Sequence, residues 1–295
     1  MAAKRLSGDP VAASIREDVR ERVTRLRESG AVPVLGTVLM SDSPADSRFM
    51  DLKHEACDDV GIGTRDVRLD PEGPASRLYD AVEGLSADPA VDAVFVQTPL
   101  PNHVDLAAVR RRIDPARDVD CFHPENAGRL VAGEPRFLPA TPAAVLRLLE
   151  WYDITTAGQS VVVVGRSPVI GRPLANLLIR EGWGNATVTV CHSRTRNLGE
   201  KTRHGDLVIT AAGVPELVDG SMLSPGAVVV DVSANRRPGD GDGTVVGDVI
   251  FGCASEVAGA ITPVPGGVGP VTLSCLVANA VKASERRCGD ASDGP

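Results

Sequence analysis

The sequence predicts an α/β fold in which parallel strands alternate with helices, arranged as two domains. Three observations lead to this prediction. Short apolar runs alternate with amphipathic segments along most of the chain, which is the order expected of a parallel sheet covered by helices. A proline-containing segment near residue 140 separates two such series. The length of 295 residues suits two medium domains.

The first series begins with an amphipathic helix. Apolar residues recur at helical spacing from Ile15 to Leu26, and charged residues occupy the other face. The apolar run that follows is short enough for a buried strand. The further elements predicted in this half are a strand at 34–40, a helix at 44–60, a strand at 92–97 and a helix at 104–112.

The second series follows a helix predicted at 142–152, which we interpret as a hinge between the halves. Its elements begin with a strand at 160–164, made almost entirely of valine. The others are a helix at 171–182, strands at 186–190, 206–211 and 227–232, and a long helix at 270–283. The polar, glycine-containing segment 286–295 is predicted to be a disordered tail.

Composition and charge exclude several classes of protein. A net charge of −8 argues against general binding to nucleic acid or to a membrane surface. The six cysteines are dispersed without a CxxC pair, which favours reduced thiols in a cytoplasm over disulfides or a zinc site. The start of the chain has no apolar targeting segment, and no apolar run reaches the length of a membrane span. We therefore expect a soluble, cytoplasmic protein.

A glycine-containing turn lies directly between the valine strand and the next helix. Its pattern is GxSxxxG, with Gly165, Ser167 and Gly171 at the defined positions. Small residues let the backbone approach a pyrophosphate, whose charge meets the N-terminus of the helix. Taken alone, the pattern is equally consistent with an ordinary tight turn.

The end of the following strand bears on the choice of dinucleotide. NAD sites usually place an acidic residue there to bind the ribose 2′-hydroxyl. Here the strand is followed by His192, Ser193 and Arg194, with no carboxylate, and Arg166 stands in the turn itself. Hydroxyl and guanidinium groups suit a 2′-phosphate, so NADP is favoured. The alternative is that Arg194 and Arg196 form a solvated basic edge.

A lysine in the first half has the surroundings of a proton-transfer group. Phe49 and Lys53 are four residues apart on the predicted second helix, and apolar residues continue along the same side. Partial desolvation would lower the pKa of an ammonium toward neutrality and let it exchange protons at working pH. The alternative is that the lysine extends to water at the edge of an apolar stripe.

Further polar residues follow the strand-like segments. Gln97 ends a strand directly before a Thr-Pro-Leu-Pro turn. Asp118 and Asp120 are two residues apart on an extended stretch, so they point to opposite faces and at most one enters a given pocket. Either could instead cap a helix or close a turn. His123, before a proline, is interpreted as structural, and no cluster has the spacing of a metal site.

The segment 262–272 alternates proline and glycine before the last helix. This alternation fixes a rigid backbone path that can pass close to a flat ligand.

Together these segments resemble the bifunctional methylenetetrahydrofolate dehydrogenase/cyclohydrolase family. The resemblance covers about residues 8–282. It rests on five strings that occur in the family's order, namely Lys53-x-x-x-Cys57, Val96-Gln97-x-Pro99-Leu100-Pro101, Asp118-Val119-Asp120-x-Phe122-His123-Pro124, Gly165-Arg166-Ser167, and Pro263-Val264-Pro265-Gly266-Gly267-Val268-Gly269-Pro270.

The resemblance implies an architecture. It predicts an α/β catalytic domain at residues 1–140 plus 270–285 and a Rossmann-like NADP domain with a parallel sheet at 141–269. It also implies a cleft between the domains and a homodimer. The cofactor implied is NADP and the substrates are tetrahydrofolate derivatives.

Two reactions are implied as well. The first is NADP-dependent oxidation of 5,10-methylenetetrahydrofolate to the 5,10-methenyl form, and the second is hydrolysis of that product to 10-formyltetrahydrofolate. The family's catalytic roles match Lys53 for proton transfer, Gln97 as its assistant and Asp120 at the pterin edge. The matching substrate residues are Phe49, Pro99, Leu100, Pro265, Gly266 and Gly267. The matching cofactor residues are Gly165, Arg166, Ser167, Gly171, Pro173, His192, Ser193, Arg194, Ala212, Gly213, Ser233, Asn235 and Thr272.

The chain departs from the family's pattern near these positions. It has Asp46 for a serine, Phe49 for a tyrosine, Thr98 for a leucine, Cys121 for a glycine, and Ser233-Ala234 for Gly-Ile. One hypothesis is tolerated variation in a working bifunctional enzyme. Others are a paralogue with weakened cyclohydrolase or an altered folate-like substrate, a non-catalytic binding protein, and a dehydrogenase for another small substrate. The last leaves Gln97 and the 263–270 segment without a purpose.

Overall fold

The computed structural model describes residues 3–182, 184–237 and 243–289. The strands are β1 Lys4–Arg5, β2 Val34–Leu39, β3 Gly63–Arg68, β4 Ala93–Val96, β5 Ser160–Val164, β6 Thr187–Cys191, β7 Leu207–Thr210, β8 Val228–Asp231, β9 Asn235–Arg236, β10 Val245–Val246 and β11 Ala260–Ile261. The helices are α1 Asp9–Glu28, α2 Pro44–Asp58, α3 Ala75–Ala87, α4 Leu106–Arg110, α5 Pro124–Ala132, α6 Ala140–Trp151, α7 Gly171–Ile179, α8 Leu198–Thr202, α9 Phe251–Val257 and α10 Val268–Cys288.

The chain divides into two compact units. The N-terminal unit comprises Ser14–Ala140 and the chain from Leu273 onward. The central unit comprises the chain up to Ala13 together with Thr141–Thr272.

The N-terminal unit contains a three-stranded parallel sheet in the order β3-β2-β4. The strand β2 is central, and Leu35, Val38 and Leu39 in it are almost fully buried. The helix α2 follows β2, with Ser43 accepting a hydrogen bond from the Asp46 amide as its N-cap. The chain passes from β2 to β3 on one side of β2, and β4 lies on the other side. The carboxyl ends of β2 and β4 therefore border a topological switch point, the kind of position at which ligand sites form in such sheets.

The central unit contains a six-stranded parallel sheet in the order β1-β11-β8-β7-β5-β6. Its core strand β5 consists of four buried valines after Ser160. The strands β6 and β7 flank β5 on opposite sides, so this sheet also has a switch point at the carboxyl end of β5. The short strands β9 and β10 form a separate antiparallel pair.

The parallel α/β architecture predicted from sequence is confirmed, and most predicted elements fall within a few residues of their observed bounds. The strand β3 was missed because it lies at a sheet edge and its sequence, GTRDVR, has no buried apolar face. The helices α3, α5, α8 and α9 and the strands β1, β9, β10 and β11 were also missed. The β1, β9, β10 and β11 strands have only two residues each, too few to show a period.

Two boundaries differ from the prediction. The first residues of the chain group with the central unit because β1 pairs with β11 and the Leu6 amide donates to the Ile261 carbonyl at 2.8 Å. The predicted disordered tail begins too early, because α10 continues through Arg286 and Arg287 to Cys288. The Arg287 guanidinium pairs with the buried Asp92 carboxylate, which holds this last turn. Residues 290–295 of the predicted tail lie outside the described residues.

The described part of the chain contains neither a helix suited to span a membrane nor a cluster of potential metal ligands. None of its helices combines the length and apolarity needed to cross a lipid bilayer. None of its groups of histidine, cysteine and acidic side chains is placed to bind a metal ion.

Candidate active site

The N-terminal unit brings Lys53, Gln97, Asp120 and Phe49 together at the carboxyl edge of its sheet. Lys53 Nζ donates to Gln97 Oε1 at 3.0 Å and to the Phe49 carbonyl at 3.3 Å. The Gln97 amide nitrogen in turn donates to the Thr98 carbonyl at 2.9 Å, which fixes the orientation of the amide. The side chain of Lys53 therefore bends back over α2 rather than extending to water.

Burial changes the protonation of this lysine. Lys53 is only 8% exposed, and this desolvation lowers its pKa to about 8, although the negative charges of Asp120 and Asp46 oppose the change. Near neutral pH such a group can both hold and release a proton. The interpretation of Lys53 as a residue that snorkels to solvent does not fit this position.

The two aspartates of the 118–120 segment have different environments. Asp118 is buried and accepts hydrogen bonds from the Phe122 and His123 amides at 2.8 Å and from Asn126 Nδ2 at 2.9 Å, so it is structural. Asp120 accepts from the Ala140 amide at 2.9 Å. Burial raises the Asp120 pKa to about 6, with a further increase from Asp118, whereas the Ala140 amide and Lys53 lower it.

His123 has the structural role expected of it. Its Nδ1 accepts from the Glu125 amide at 3.0 Å and caps the N-terminus of α5, where Pro124 is the first residue. Cys121 has a left-handed backbone with φ of 54°, a conformation that favours glycine. Its thiol donates to the Phe137 carbonyl at 3.0 Å, and this bond holds the segment beside Asp120.

In the central unit the turn after β5 has the geometry of a phosphate-binding turn. Gly165 has φ of 135°, and a Cβ there would collide with the Ala211 carbonyl. A Cβ on Gly171 would collide with the Gly165 carbonyl. Ser167 Oγ accepts from the Ile170 and Gly171 amides at 3.1 and 3.4 Å and so shapes the start of α7. The two glycines therefore let the turn pack tightly against the start of α7, where backbone amides can bind an anion.

The other predicted cofactor residues of this unit follow the carboxyl ends of neighbouring strands. His192, Ser193 and Arg194 follow β6, where the His192 amide donates to Thr195 Oγ1 at 2.8 Å and closes the turn. Ala212 and Gly213 follow β7, and Ser233 and Asn235 follow β8. Pro173 lies in the first turn of α7, and Thr272 lies in α10.

Sequence reasoning missed Asp248, the group that holds two of these segments. Asp248 is fully buried and accepts hydrogen bonds from the backbone of the loop after β7 and from side chains of the loop after β8. Its donors are the amides of Ala212, Gly213 and Val214, Ser233 Oγ and Asn235 Nδ2, at 2.6 to 3.3 Å. The sequence did contain a signal, because Asp248 stands within an otherwise apolar stretch that is expected to be buried. A buried carboxylate must accept hydrogen bonds from other parts of the chain.

Asp231 lies beside Asp248 at the end of β8. Burial raises its pKa to about 6, and the charge of Asp248 adds to that increase. Its carboxylate accepts from the Val249 amide at 2.8 Å and from the Ser233 amide at 3.2 Å. Both carboxylates therefore support the loops at the end of the sheet.

The remaining predicted substrate residues divide between the units. Pro99 and Leu100 follow Gln97 in the N-terminal unit, directly after β4. Pro265, Gly266 and Gly267 follow β11 in the central unit, where the Gly266 carbonyl accepts from the Gly8 amide at 2.8 Å. A Cβ on Gly8 would collide with the Gly267 carbonyl, so the two segments need glycine to approach each other.

Two family models match the chain. One describes the catalytic domain of tetrahydrofolate dehydrogenase/cyclohydrolase and matches residues 6–120. The other describes the NAD(P)-binding domain of the same enzyme and matches residues 139–288.

Full-length relatives are similar over almost the whole chain. The bifunctional protein FolD of Haloquadratum walsbyi is 54% identical over 280 residues, which are 95% of this chain and 90% of the relative. The FolD of Natronomonas pharaonis is 51% identical over 282 residues, covering 95% of each chain.

Solved structures are also similar. The FolD crystal structure from Campylobacter jejuni has a TM-score of 0.91 at 38% identity and covers 97% of this chain and 100% of its own. The dehydrogenase-cyclohydrolase of Trypanosoma brucei, solved with NADP cofactor and inhibitor, has a TM-score of 0.92 at 36% identity and covers 98% of this chain and 99% of its own.

Proposed function

This chain belongs to the tetrahydrofolate dehydrogenase/cyclohydrolase family, and from that premise we propose how its residues divide the two reactions. The enzyme uses NADP to oxidise 5,10-methylenetetrahydrofolate to the methenyl form and hydrolyses the product to 10-formyltetrahydrofolate. We assign the proton transfer to the N-terminal unit and the binding of the dinucleotide to the central unit.

The central unit fits the dinucleotide. Gly165 and Gly171 let the turn after β5 pack directly against the Ala211 and Gly165 carbonyls, and the amides that begin α7 suit a pyrophosphate. Arg166, Ser193 and Arg194 suit the 2′-phosphate, because guanidinium and hydroxyl groups donate to phosphate oxygens. When bound, NADP supplies the acceptor for the hydride. Ala212, Gly213, Ser233 and Asn235 form the loops that orient it, and Asp248 holds those loops in place.

The oxidation step depends on the placement of its two reactants rather than on proton transfer. The positive charge of the methenyl product is delocalised over two nitrogens, so no proton has to leave during hydride transfer. The residues proposed to orient the folate in the N-terminal unit are Asp120, Phe49, Pro99 and Leu100. The Pro265–Gly267 segment of the central unit presents a rigid backbone. Correct placement of two reactants can supply most of such a rate enhancement.

Hydrolysis of the methenyl product needs a group that accepts a proton from the water that attacks the methenyl carbon. Lys53 can do this because its lowered pKa makes the neutral amine available near physiological pH. Gln97 holds the lysine through the 3.0 Å hydrogen bond and is itself fixed by the Thr98 carbonyl. This buried Lys53–Gln97 pair is the single observation that carries the assignment.

The same pair favours a working cyclohydrolase over a paralogue that has lost it. Phe49 lacks the hydroxyl of the family's tyrosine, but the lysine still reaches Gln97 and the Phe49 carbonyl without it. Supplying 5,10-methylenetetrahydrofolate with NADP should yield NADPH and 10-formyltetrahydrofolate in equal amounts. NADPH with accumulating methenyl product would instead identify the weakened paralogue, and no NADPH with either NADP or NAD would refute the dehydrogenase.

We further propose that the enzyme is a cytoplasmic homodimer. The six cysteines are all free, as expected in a reducing compartment. The homodimer is proposed from the family to which the chain belongs. Sedimentation should give twice the monomer mass, and cell fractionation should recover the protein with the cytoplasm.

A further inference from the structure

The ammonium of Lys53 lies against two aromatic rings as well as its polar partners. Its Nζ is 4.7 Å from the ring centroid of Phe95 on β4 and 5.7 Å from that of Phe49 on α2. Both distances are within the range of a cation–π interaction. Phe95 directly precedes the Val96-Gln97 string, and its ring belongs to none of the substrate or cofactor groups assigned above.

We propose that Phe95 is a positioning residue that stabilises the ammonium form of Lys53 and keeps it beside Gln97, with Phe49 as a second and weaker ring. The inference rests on the proposed function, since it specifies how the proton-transfer group of that site is held. The face of an aromatic ring is electron-rich and attracts a cation without being able to accept its proton.

The charged groups around Lys53 explain why the rings matter. Asp46 on α2 and Asp120 on the 118–120 segment both favour the ammonium, but neither accepts a hydrogen bond from Nζ. Burial acts in the opposite direction and is the larger effect. An ammonium that is dehydrated and makes no direct hydrogen bond to its counterions gains most from a ring at 4.7 Å, because cation–π interactions strengthen when the cation is desolvated.

The rings also restrict where the proton can go. An ammonium has three N–H donors, and two of those of Lys53 are used by Gln97 Oε1 and the Phe49 carbonyl. Among the described residues no third acceptor contacts Nζ. The Phe95 and Phe49 rings, at 4.7 and 5.7 Å, offer no acceptor for a proton. The third position on Nζ is therefore left for exchange: its N–H can leave, and the lone pair of the resulting neutral amine can accept a proton from the attacking water.

The test measures the pKa of Lys53 directly by ¹⁵N NMR titration of its Nζ in the intact protein. Phe95→Leu removes the ring but keeps an apolar side chain, so the pKa of Lys53 should fall by about one unit. A tetrafluorinated phenylalanine in place of Phe95 keeps the shape of the ring but withdraws electrons from its face, so the pKa of Lys53 should fall in this variant too. A pKa that is unchanged or raised in both variants would overturn the proposal.

The matched control is Tyr79→Leu. The Tyr79 ring lies 4.3 Å from the Arg112 guanidinium in the same unit, so this variant removes a comparable pair away from Lys53. It should leave the Lys53 pKa unchanged; an equal fall would mean that the effect of Phe95 is not local, and would also overturn the proposal.

The titration needs neither folate nor turnover, so it separates this inference from the proposed function. If Phe95→Leu lowers the pKa of Lys53, the methenyl hydrolysis profile should move to lower pH by the same amount, and the NADPH-forming step should keep its rate. If the enzyme turns over normally but the pKa does not move, the role of Phe95 alone is refuted. An enzyme that forms no NADPH refutes the proposed function, whatever the titration gives.

Discussion

The two units differ in how many hydrogen-bond partners surround their buried ionisable groups. In the N-terminal unit Lys53 is buried and, within the described part of the chain, donates to two acceptors, and its pKa is lowered to about 8. In the central unit Asp248 is buried and accepts from five donors among the described residues. The first arrangement leaves a proton that can move, and the second uses the carboxylate to hold the backbone of one loop and the side chains of another.

This difference matches the two reactions. Adding water to a methenyl carbon requires a group that changes protonation, whereas hydride transfer requires the reactants to be held in place. The side chain of Lys53 is therefore expected to react. The Asp248 carboxylate is expected to act only through the loops that contain Gly213 and Ser233. Changing Lys53 should therefore impair hydrolysis and spare the oxidation, whereas changing Asp248 should impair the NADP-dependent oxidation and spare hydrolysis.

The largest effect is expected for Lys53→Met. Without a proton acceptor, hydrolysis of supplied 5,10-methenyltetrahydrofolate should fall about 10²- to 10⁴-fold, the usual contribution of general acid–base catalysis. Stopped-flow absorbance of the methenyl species measures this rate. Lys4→Met is the matched control, because Lys4 also lies over an aromatic ring, that of Tyr152 at 5.0 Å, but in the central unit. If hydrolysis by Lys53→Met stays at the parental rate, Lys53 is structural.

The next effect is expected for Asp248→Asn. The side-chain amide of asparagine would place an N–H group opposite the donors that the loops after β7 and β8 supply. Because two donors cannot pair with each other, these loops should shift. NADP affinity should fall about 10- to 100-fold, and the free energy of unfolding should fall by about 1–3 kcal/mol. Fluorescence titration with NADPH and chemical denaturation measure the two quantities.

Asp219→Asn provides the comparison for that variant. Asp219 is partly exposed and accepts locally from the Ser221 amide at 2.7 Å, so its change should alter neither quantity appreciably. Unchanged NADP affinity in a folded Asp248→Asn protein would contradict the assigned role of Asp248. Loss of methenyl hydrolysis in that variant would show that the two reactions do not separate by unit.

The rate of hydrolysis should change about tenfold between pH 7 and pH 9, whereas the rate of NADPH formation should not. Lys53 is largely an ammonium below its pKa of about 8 and a neutral amine above it. If the amine accepts the proton of water, hydrolysis should rise about tenfold from pH 7 to pH 9 and then level. The NADPH-forming step should lack this rise when followed in single turnovers. Hydrolysis that falls through pH 8 would mean that the ammonium is the active form.

The smallest effect is expected at Cys121. Cys121→Gly removes the left-handed strain but loses the thiol bond to Phe137, so the free energy of unfolding should change by less than about 1 kcal/mol. Cys121→Ala keeps the strain and loses the bond, so it should be less stable than the glycine variant. Thermal unfolding of both variants checks this order. A glycine variant with strongly reduced hydrolysis would assign Cys121 a role in holding Asp120.

The sequence predicted the elements whose apolar pattern is strong. The valine strand β5 and the amphipathic helix α1 follow directly from their residues. The strand β3 and the two-residue strands could not be predicted, because pairing with other parts of the chain forms them rather than local pattern.

At the candidate site the sequence identified Lys53 and Gln97 but not their environment. Spacing placed Phe49 near Lys53, whereas the Phe95 ring reaches the ammonium only because β4 lies beside β2. The choice between Asp118 and Asp120 also required the fold, since both precede the same turn. Asp248 is 36 residues from Ala212, whose amide it accepts, so no local pattern connects the two.

The product balance of Lys53→Met tests the separation of the two reactions most directly. The variant is given 5,10-methylenetetrahydrofolate and NADP, and NADPH, the methenyl species and 10-formyltetrahydrofolate are quantified in the same sample. We predict NADPH formation at close to the parental rate, with an equal amount of methenyl product and almost no enzyme-formed 10-formyl product. Parental production of 10-formyltetrahydrofolate, or loss of NADPH formation in a folded variant, would contradict it.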